Sequence, residues 1–377
     1  MRTIIVDKIA SVAQATDIGR EIRISPDIPC EEGVLIAAEV LNNKSRYNTL
    51  ELTSGRMAQV KMGDVIVGAL GHRKALFGYS GHIPDELHPG DVVQILNLGG
   101  VLGVCDSANP NQGQPFDCRV LGVALVFPYL GERIGVPARV SDRLLPDNTT
   151  LDLCGVPVVA FAGTCMDSGK TAAACAVVSR FRHNGLTVDA FKATGVALRR
   201  DILAMEDAGA RNTGIFTDYG IVATTSKNAP ALTRNLLNML AEQRPDAIMF
   251  ELGDGLLGAY GVEAILHDSD VRDALSGLVL CANDPVGAWG GVKLLRDQFD
   301  IEPVVVTGPA TDNQVGIDII EQRLGVPAFN ALTGGAKLGD LIQRKIGLGE
   351  NLAGIAEEAG EDSREGGPAK RLVGTPP

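Results

Sequence analysis

The residues best equipped for chemistry stand together in Gly163-Thr164-Cys165-Met166-Asp167-Ser168-Gly169-Lys170-Thr171. Glycines at both ends let backbone N–H groups close around a phosphate, and a helix opening near Lys170 points the positive end of its dipole at the same spot. In such a loop Gly163, Thr164, Asp167, Ser168 and Gly169 are expected to bind nucleotide. Lys170 reaches the β- and γ-phosphates, and the Thr171 hydroxyl ligates Mg²⁺. The spacing is unusual: five residues, not four, separate Gly163 from the Gly169-Lys170 pair. A second feature is Glu251, which closes the apolar run Ala247-Ile248-Met249-Phe250. A carboxylate at the end of a buried strand beside a phosphate loop is a natural Mg²⁺ ligand. Asp254, between Gly253 and Gly255, is the alternative, although a Gly-flanked Asp is also a common turn residue.

These groups require a scaffold that brings strand ends together. Residues 158–162 are apolar without alternation, as in a strand buried on both faces. Residues 170–183 carry helical periodicity and stop at Asn184-Gly185, a suitable C-cap. Further strands are predicted over 186–191, 213–217, 247–251, 277–282 and 303–307, with helices at about 229–243, 286–298 and 314–324. Strands separated by helices of that length imply an α/β fold: a P-loop domain over 151–350, its mainly parallel sheet covered by helices. Residues 1–150 read differently. Short β-rich runs at 34–40, 64–70, 91–96 and 119–126, two of them introduced by Gly63-Asp64 and Gly90-Asp91, predict a small barrel or sandwich. Residues 351–377 are rich in Gly, Glu and Pro and predict a flexible tail.

Composition narrows the function classes. Thirty-four Lys and Arg against 46 Asp and Glu leave a net charge of −12 over 377 residues, without the basic footprint that nucleic-acid binding needs. No run of 18 apolar residues is present, so a membrane span is not expected. Seven cysteines without a CxxC pair or a Cys/His cluster suggest neither a disulfide framework nor a zinc site. The expectation is a soluble cytoplasmic protein.

The loop resembles the GTxxxxGKT loop of dethiobiotin synthetases and their relatives, including cobyric-acid-type amidotransferase synthetases. Two further segments extend the resemblance. Asp189-Ala190-Phe191-Lys192-Ala193-Thr194-Gly195 is similar to the segment in which those enzymes carry a Lys facing substrate and phosphates. That resemblance makes Lys192 a catalytic and substrate-contacting candidate. The segment 247–258 looks like their Glu-Gly strand end, with Leu252 where a Gly is expected. The same region is also similar to a P-loop family that includes proteins of the D-glutamate N-acetyltransferase type, with an F-x-A-T-G segment and a D-[FY] segment. Phe191–Gly195 and Asp218-Tyr219 match these, which implies substrate contacts at Thr194 and Gly195 and makes Asp218 a second metal carboxylate beside Thr171 and Glu251.

Together these imply an enzyme that uses ATP and Mg²⁺ to activate a small carboxylate-bearing substrate by phosphoryl transfer, ligase-like in type, with Lys170, Lys192 and Glu251 as catalytic residues. A homodimer is the assembly expected by resemblance. The alternatives are a coenzyme A-dependent N-acyltransferase and a nucleotide switch acting through a partner. Arg199-Arg200-Asp201 suits an anionic substrate, Arg199 first, or simply starts a helix. The Gly- and base-rich stretch 70–81 is either an anion-binding loop presented to the nucleotide domain or a hairpin with solvated charges. Gly99 to Gly103 reads as a bulged or tightly packed strand.

Overall fold

The computed structural model describes residues 1–348 apart from 17, 130, 132 and 147–149, so the tail expected over 351–377 lies outside the described residues. The N-terminal domain is an 11-stranded sheet. Within it Leu35–Val40, Val65–Leu70, Val101–Ala108, Val92–Ile95 and Asp117–Val126 pair in turn, and the last returns to the first. This closes a small barrel, the first of the two expected forms. Leu35, Ile36, Ile66, Val67, Val101 and Leu102 are fully buried within it. Each such side chain contributes about 1.5–3 kcal/mol of hydrophobic stabilisation.

The C-terminal domain carries six strands in the spatial order Thr213–Ile215, Val188–Thr194, Ala247–Leu252, Val158–Gly163, Leu275–Cys281, Val305–Thr307, every pairing parallel. The absence of alternation in Val158–Gly163 has a plain cause: both faces are covered. Val159 and Phe161 pack with Ala173, Val177 and Phe181 of the Lys170–His183 helix. Val158, Ala160 and Ala162 face Leu232 and Leu236 of Ala229–Ala241 and Val292 and Leu295 of Pro285–Phe299. The helices Lys170–His183 and Gln314–Leu324 have the predicted bounds. Arg200–Asp207 and Gly335–Lys345 are additional helices. The strand expected over 213–217 is cut short, because Phe216–Tyr219 winds into a 3₁₀ turn. No helix among the described residues is long and apolar enough to cross a membrane.

The two domains meet along the segment that follows Val188–Thr194. Ala197 and Val222 are buried in the core of the N-terminal barrel. Asn97 donates to the Ala197 carbonyl at 2.6 Å, and the Val222 and Ala223 amides donate to Glu32. Glu51, fully buried, accepts from the Ser11 hydroxyl and from the Arg199 amide. Gly99, read above as part of a strand, instead lies in this contact. A Cβ there would stand 1.9 Å from the Ala197 carbonyl oxygen, so only glycine permits the approach.

Candidate active site at the domain interface

Strand register brings the charged residues together. Phe191 lies opposite Phe250, their rings stacked 5.0 Å apart, a contact worth about 0.5–1.5 kcal/mol beyond burial. One residue on, Lys192 lies opposite Glu251. Side chains alternate along a strand, so both point to the opposite face from the stacked rings, the face covered by the Lys170–His183 helix. The first turn of that helix supplies Thr171, whose hydroxyl donates to Glu251 Oε2 at 2.8 Å. The helix begins directly at the loop with no acidic residue in its first turn and with Arg180, Arg182 and His183 in its last. Its dipole is therefore unopposed where an anion would sit.

Lys170 is bent back over its own loop. Its ammonium donates to the carbonyls of Cys165 at 2.9 Å and Asp254 at 2.6 Å. The loop is held from outside by Thr164 N donating to Cys281 O and Leu256 N donating to Gly163 O. Lys192 pairs with Asp201 at the start of the Arg200–Asp207 helix. Burial opposes both charges, but the pairing wins. Asp201 is held below the usual carboxylate range, and Lys192, with Glu251 also near, is held above the usual lysine value. Glu251 moves the other way: burial and then the Asp201 charge raise its pKa, against Lys192 and Lys170. Asp254 is also raised by burial, opposed by Lys170, by the nearby Ala259 amide, and by Arg73 and Lys192. Neither of its buried carboxylate oxygens makes a full hydrogen bond, although the Ala259 amide is near.

These groups line a cleft of about 570 Å³, within the usual size of small-molecule sites. One wall holds Asp167, Ser168, Gly169, Lys170, Thr171, Lys192, Gly195, Glu251 and Asp254, and the other comes from the barrel through Tyr47, Arg73, Phe77 and Asn97. The expected residues divide accordingly. Gly163 and Thr164 form the base of the loop outside the cleft lining. Thr194 is fully buried, its hydroxyl given to the Gly253 carbonyl. It supports the strand end instead of contacting a ligand. Arg199 faces Asp218 at 3.6 Å, and Arg200 takes its place in the cleft. Asp218 accepts from the Ile215 amide and caps the 3₁₀ turn, so it does not join Thr171 and Glu251. Asp201, read from sequence as a first-turn residue, is the carboxylate that joins them, and its only sequence signal was its place after two arginines. Close packing explains the Gly after Leu252: a Cβ at Gly253 would lie 2.2 Å from the Thr194 carbonyl oxygen.

Among the described residues no group of three or more His, Cys, Asp and Glu side chains is placed to hold a metal alone. A hydroxyl and a carboxylate, Thr171 and Glu251, nevertheless suit Mg²⁺, which takes much of its shell from phosphate and water.

No family model matches the chain, and no curated protein matches it. Solved structures similar to it include the signal recognition particle receptor FtsY from Elizabethkingia anophelis, at 15% identity over 52% of this chain and 68% of that one, with a TM-score of 0.37. A DUF1611 family protein from Anabaena variabilis is 15% identical over 54% of this chain and 63% of that one, with a TM-score of 0.38. The signal recognition particle 54 kDa protein from Aeropyrum pernix, in complex with GDP, is 18% identical over 56% of this chain and 50% of that one, with a TM-score of 0.36. The chain thus spans less than two thirds of the last two. The chain's own strand, glycine loop and helix, set in a parallel sheet between helices, make the C-terminal domain a P-loop fold.

Proposed function

We propose that this protein is a nucleotide-dependent enzyme that uses ATP and Mg²⁺ to activate a small carboxylate-bearing substrate in the cleft between its domains. The observation that carries the reading is the contact of Thr171 with Glu251, with the Lys192–Asp201 pair in the same cleft. In the reaction a substrate carboxylate oxygen bonds to the terminal phosphorus as the bond to the β–γ bridging oxygen breaks, giving an acyl phosphate and ADP. An amine then takes the acyl carbon and phosphate leaves. Such transfer relies on positioning and charge stabilisation, which fixed cations and backbone donors supply. Lys170 exchanges its loop carbonyls for phosphate oxygens. Thr171 and Glu251 hold Mg²⁺, which when bound neutralises phosphate charge. Asp201 keeps Lys192 charged and fixed in the cleft, where it meets the transferring phosphate and the substrate.

Calorimetry with Mg-ATP tests this assignment. Lys170→Ala should weaken binding at least about 100-fold, the loss of two or more charge-assisted hydrogen bonds. Lys192→Ala should leave affinity within about threefold yet abolish ATP turnover on a panel of carboxylates and amines, because its role lies in the transition state. Equal binding losses in the two variants, or no nucleotide binding by the wild type, would overturn the assignment. Acetyl-coenzyme A bound in preference to ATP would turn the reading toward acyl transfer.

A further inference from the structure

The barrel wall of the cleft contains a cation that no carboxylate hydrogen-bonds: Arg73, whose charge is felt by Asp254 and Tyr260 of the P-loop domain. Arg73 lies in the short strand Arg73–Lys74 and is 3% exposed. Its acceptors are the Leu96 carbonyl and the Tyr47 hydroxyl, at 3.2 Å, on Nη1, and the Phe77 carbonyl, at 3.4 Å, on Nη2; none is a carboxylate. Buried Nε has no acceptor. A guanidinium has five N–H donors, so the Nε–Nη2 edge, the edge that binds carboxylate or phosphate through two parallel hydrogen bonds, is the least satisfied part of the group. Burying such a charge without a hydrogen-bonded anion costs several kcal/mol.

The surroundings hold this group in position. Gly78 lies so close to the guanidinium that a Cβ would be 2.6 Å from Nη2. The adjacent Lys74 amide donates to the Tyr260 hydroxyl at 3.0 Å, tying the strand to the P-loop domain. Lys170, Lys192 and Arg73 thus converge on one cleft from two domains. Within residues 70–81, which form a hairpin with His72 and Lys74 exposed, Arg73 alone is buried against the cleft.

We propose that Arg73 is the oxyanion-binding residue that the N-terminal domain contributes to the cleft, its Nε–Nη2 edge receiving two oxygens of one ligand group. That group is the terminal phosphate of the nucleotide or the carboxylate of the second substrate. The assignment rests on the nucleotide-dependent reading above and adds to it the purpose of the barrel: neither domain alone assembles the anion site.

The test compares wild type, Arg73→Lys and Arg73→Ala by calorimetry with three probes: the Mg²⁺ complex of adenylyl imidodiphosphate, that of ADP, and malonate in the presence of Mg-ADP. If Arg73 receives the terminal phosphate, both variants bind the triphosphate analogue at least tenfold more weakly and ADP unchanged. If it receives the substrate carboxylate, both nucleotides bind unchanged and malonate is weakened tenfold. Lys keeps the charge but not the two-pronged edge, so a loss in Arg73→Lys separates the proposal from a merely structural role. All three affinities within twofold of wild type in the folded Lys variant would overturn it. A wild type that binds malonate but neither nucleotide would defeat the nucleotide reading and leave the arginine's oxyanion role standing through the malonate arm.

Discussion

Two acidic residues of the parallel sheet are buried in opposite ways. Asp189, at the start of Val188–Thr194, is wholly inaccessible and accepts Arg211 Nε and Nη2 at 3.0 and 2.8 Å and the Asn212 amide and side chain at 3.1 Å each. Asp254, just past the end of the adjacent strand, is nearly as buried and has no full hydrogen bond on either oxygen. Its backbone stands at φ +76°, where non-glycine residues are rare. The difference separates structural from functional charge on one sheet. At the start of its strand Asp189 is fully matched; past the carboxyl end of the next, where ligands of open α/β folds collect, Asp254 is left without a full hydrogen bond. An unmatched buried group lowers stability and persists where a ligand repays it.

Asp189→Ala offers the largest effect through which that comparison can fail. It removes four hydrogen bonds while the half-exposed Arg211 returns to water, so unfolding in urea should show a loss of about 2–3 kcal/mol with ATP affinity unchanged. Asp254→Asn should behave in the reverse way. Asn tolerates the left-handed backbone, and the change removes an unpaired buried charge, so stability should hold or rise by about 1 kcal/mol while turnover falls about tenfold or more. A melting temperature lower than that of Asp189→Ala would erase the distinction. The smallest effect comes from a third carboxylate that is paired but partly exposed. Asp340 accepts Arg180 Nε and Nη2 at 2.7 and 3.0 Å, joining the Lys170–His183 and Gly335–Lys345 helices. Asp340→Asn should cost less than about 1 kcal/mol at neutral pH. The arginine depresses the Asp340 pKa, so its stabilisation is fully present above the ordinary value of 3.8 and is lost as pH falls through the depressed one. The difference between wild type and variant in urea melts should therefore vanish only in acid.

Local pattern made much of the scaffold legible. The apolar run before the glycine loop, the periodic helix after it and the helix at Gln314–Leu324 announce themselves because burial on both faces or on one stripe leaves a direct mark on composition. The strands of the barrel were legible for the same reason, from Gly-Asp turns beside apolar runs. The short Arg200–Asp207 helix shows in the sequence only as a candidate start at Arg199-Arg200-Asp201, since its eight residues bury only Ile202 and Met205. Asp218 illustrates the limit of motif reasoning: Asp-Tyr matched a pattern, yet the turn that forms there spends its carboxylate on the Ile215 amide.

Residue types and order by themselves determined that this chain has a phosphate-type loop between a buried strand and a helix, a lysine and a glutamate at strand ends, and a β-rich region ahead of them. These follow from short-range spacing, which the periodicity of strands and helices converts into position. Tertiary structure alone decided which charges meet. Asp201 reaches Lys192 from another element, Arg199 turns to Asp218 while Arg200 enters the cleft, and Arg73 arrives from nearly 100 residues upstream in the other domain. Such pairings depend on how elements pack, through desolvation and Coulomb interactions that act across space and leave no periodic trace along the chain.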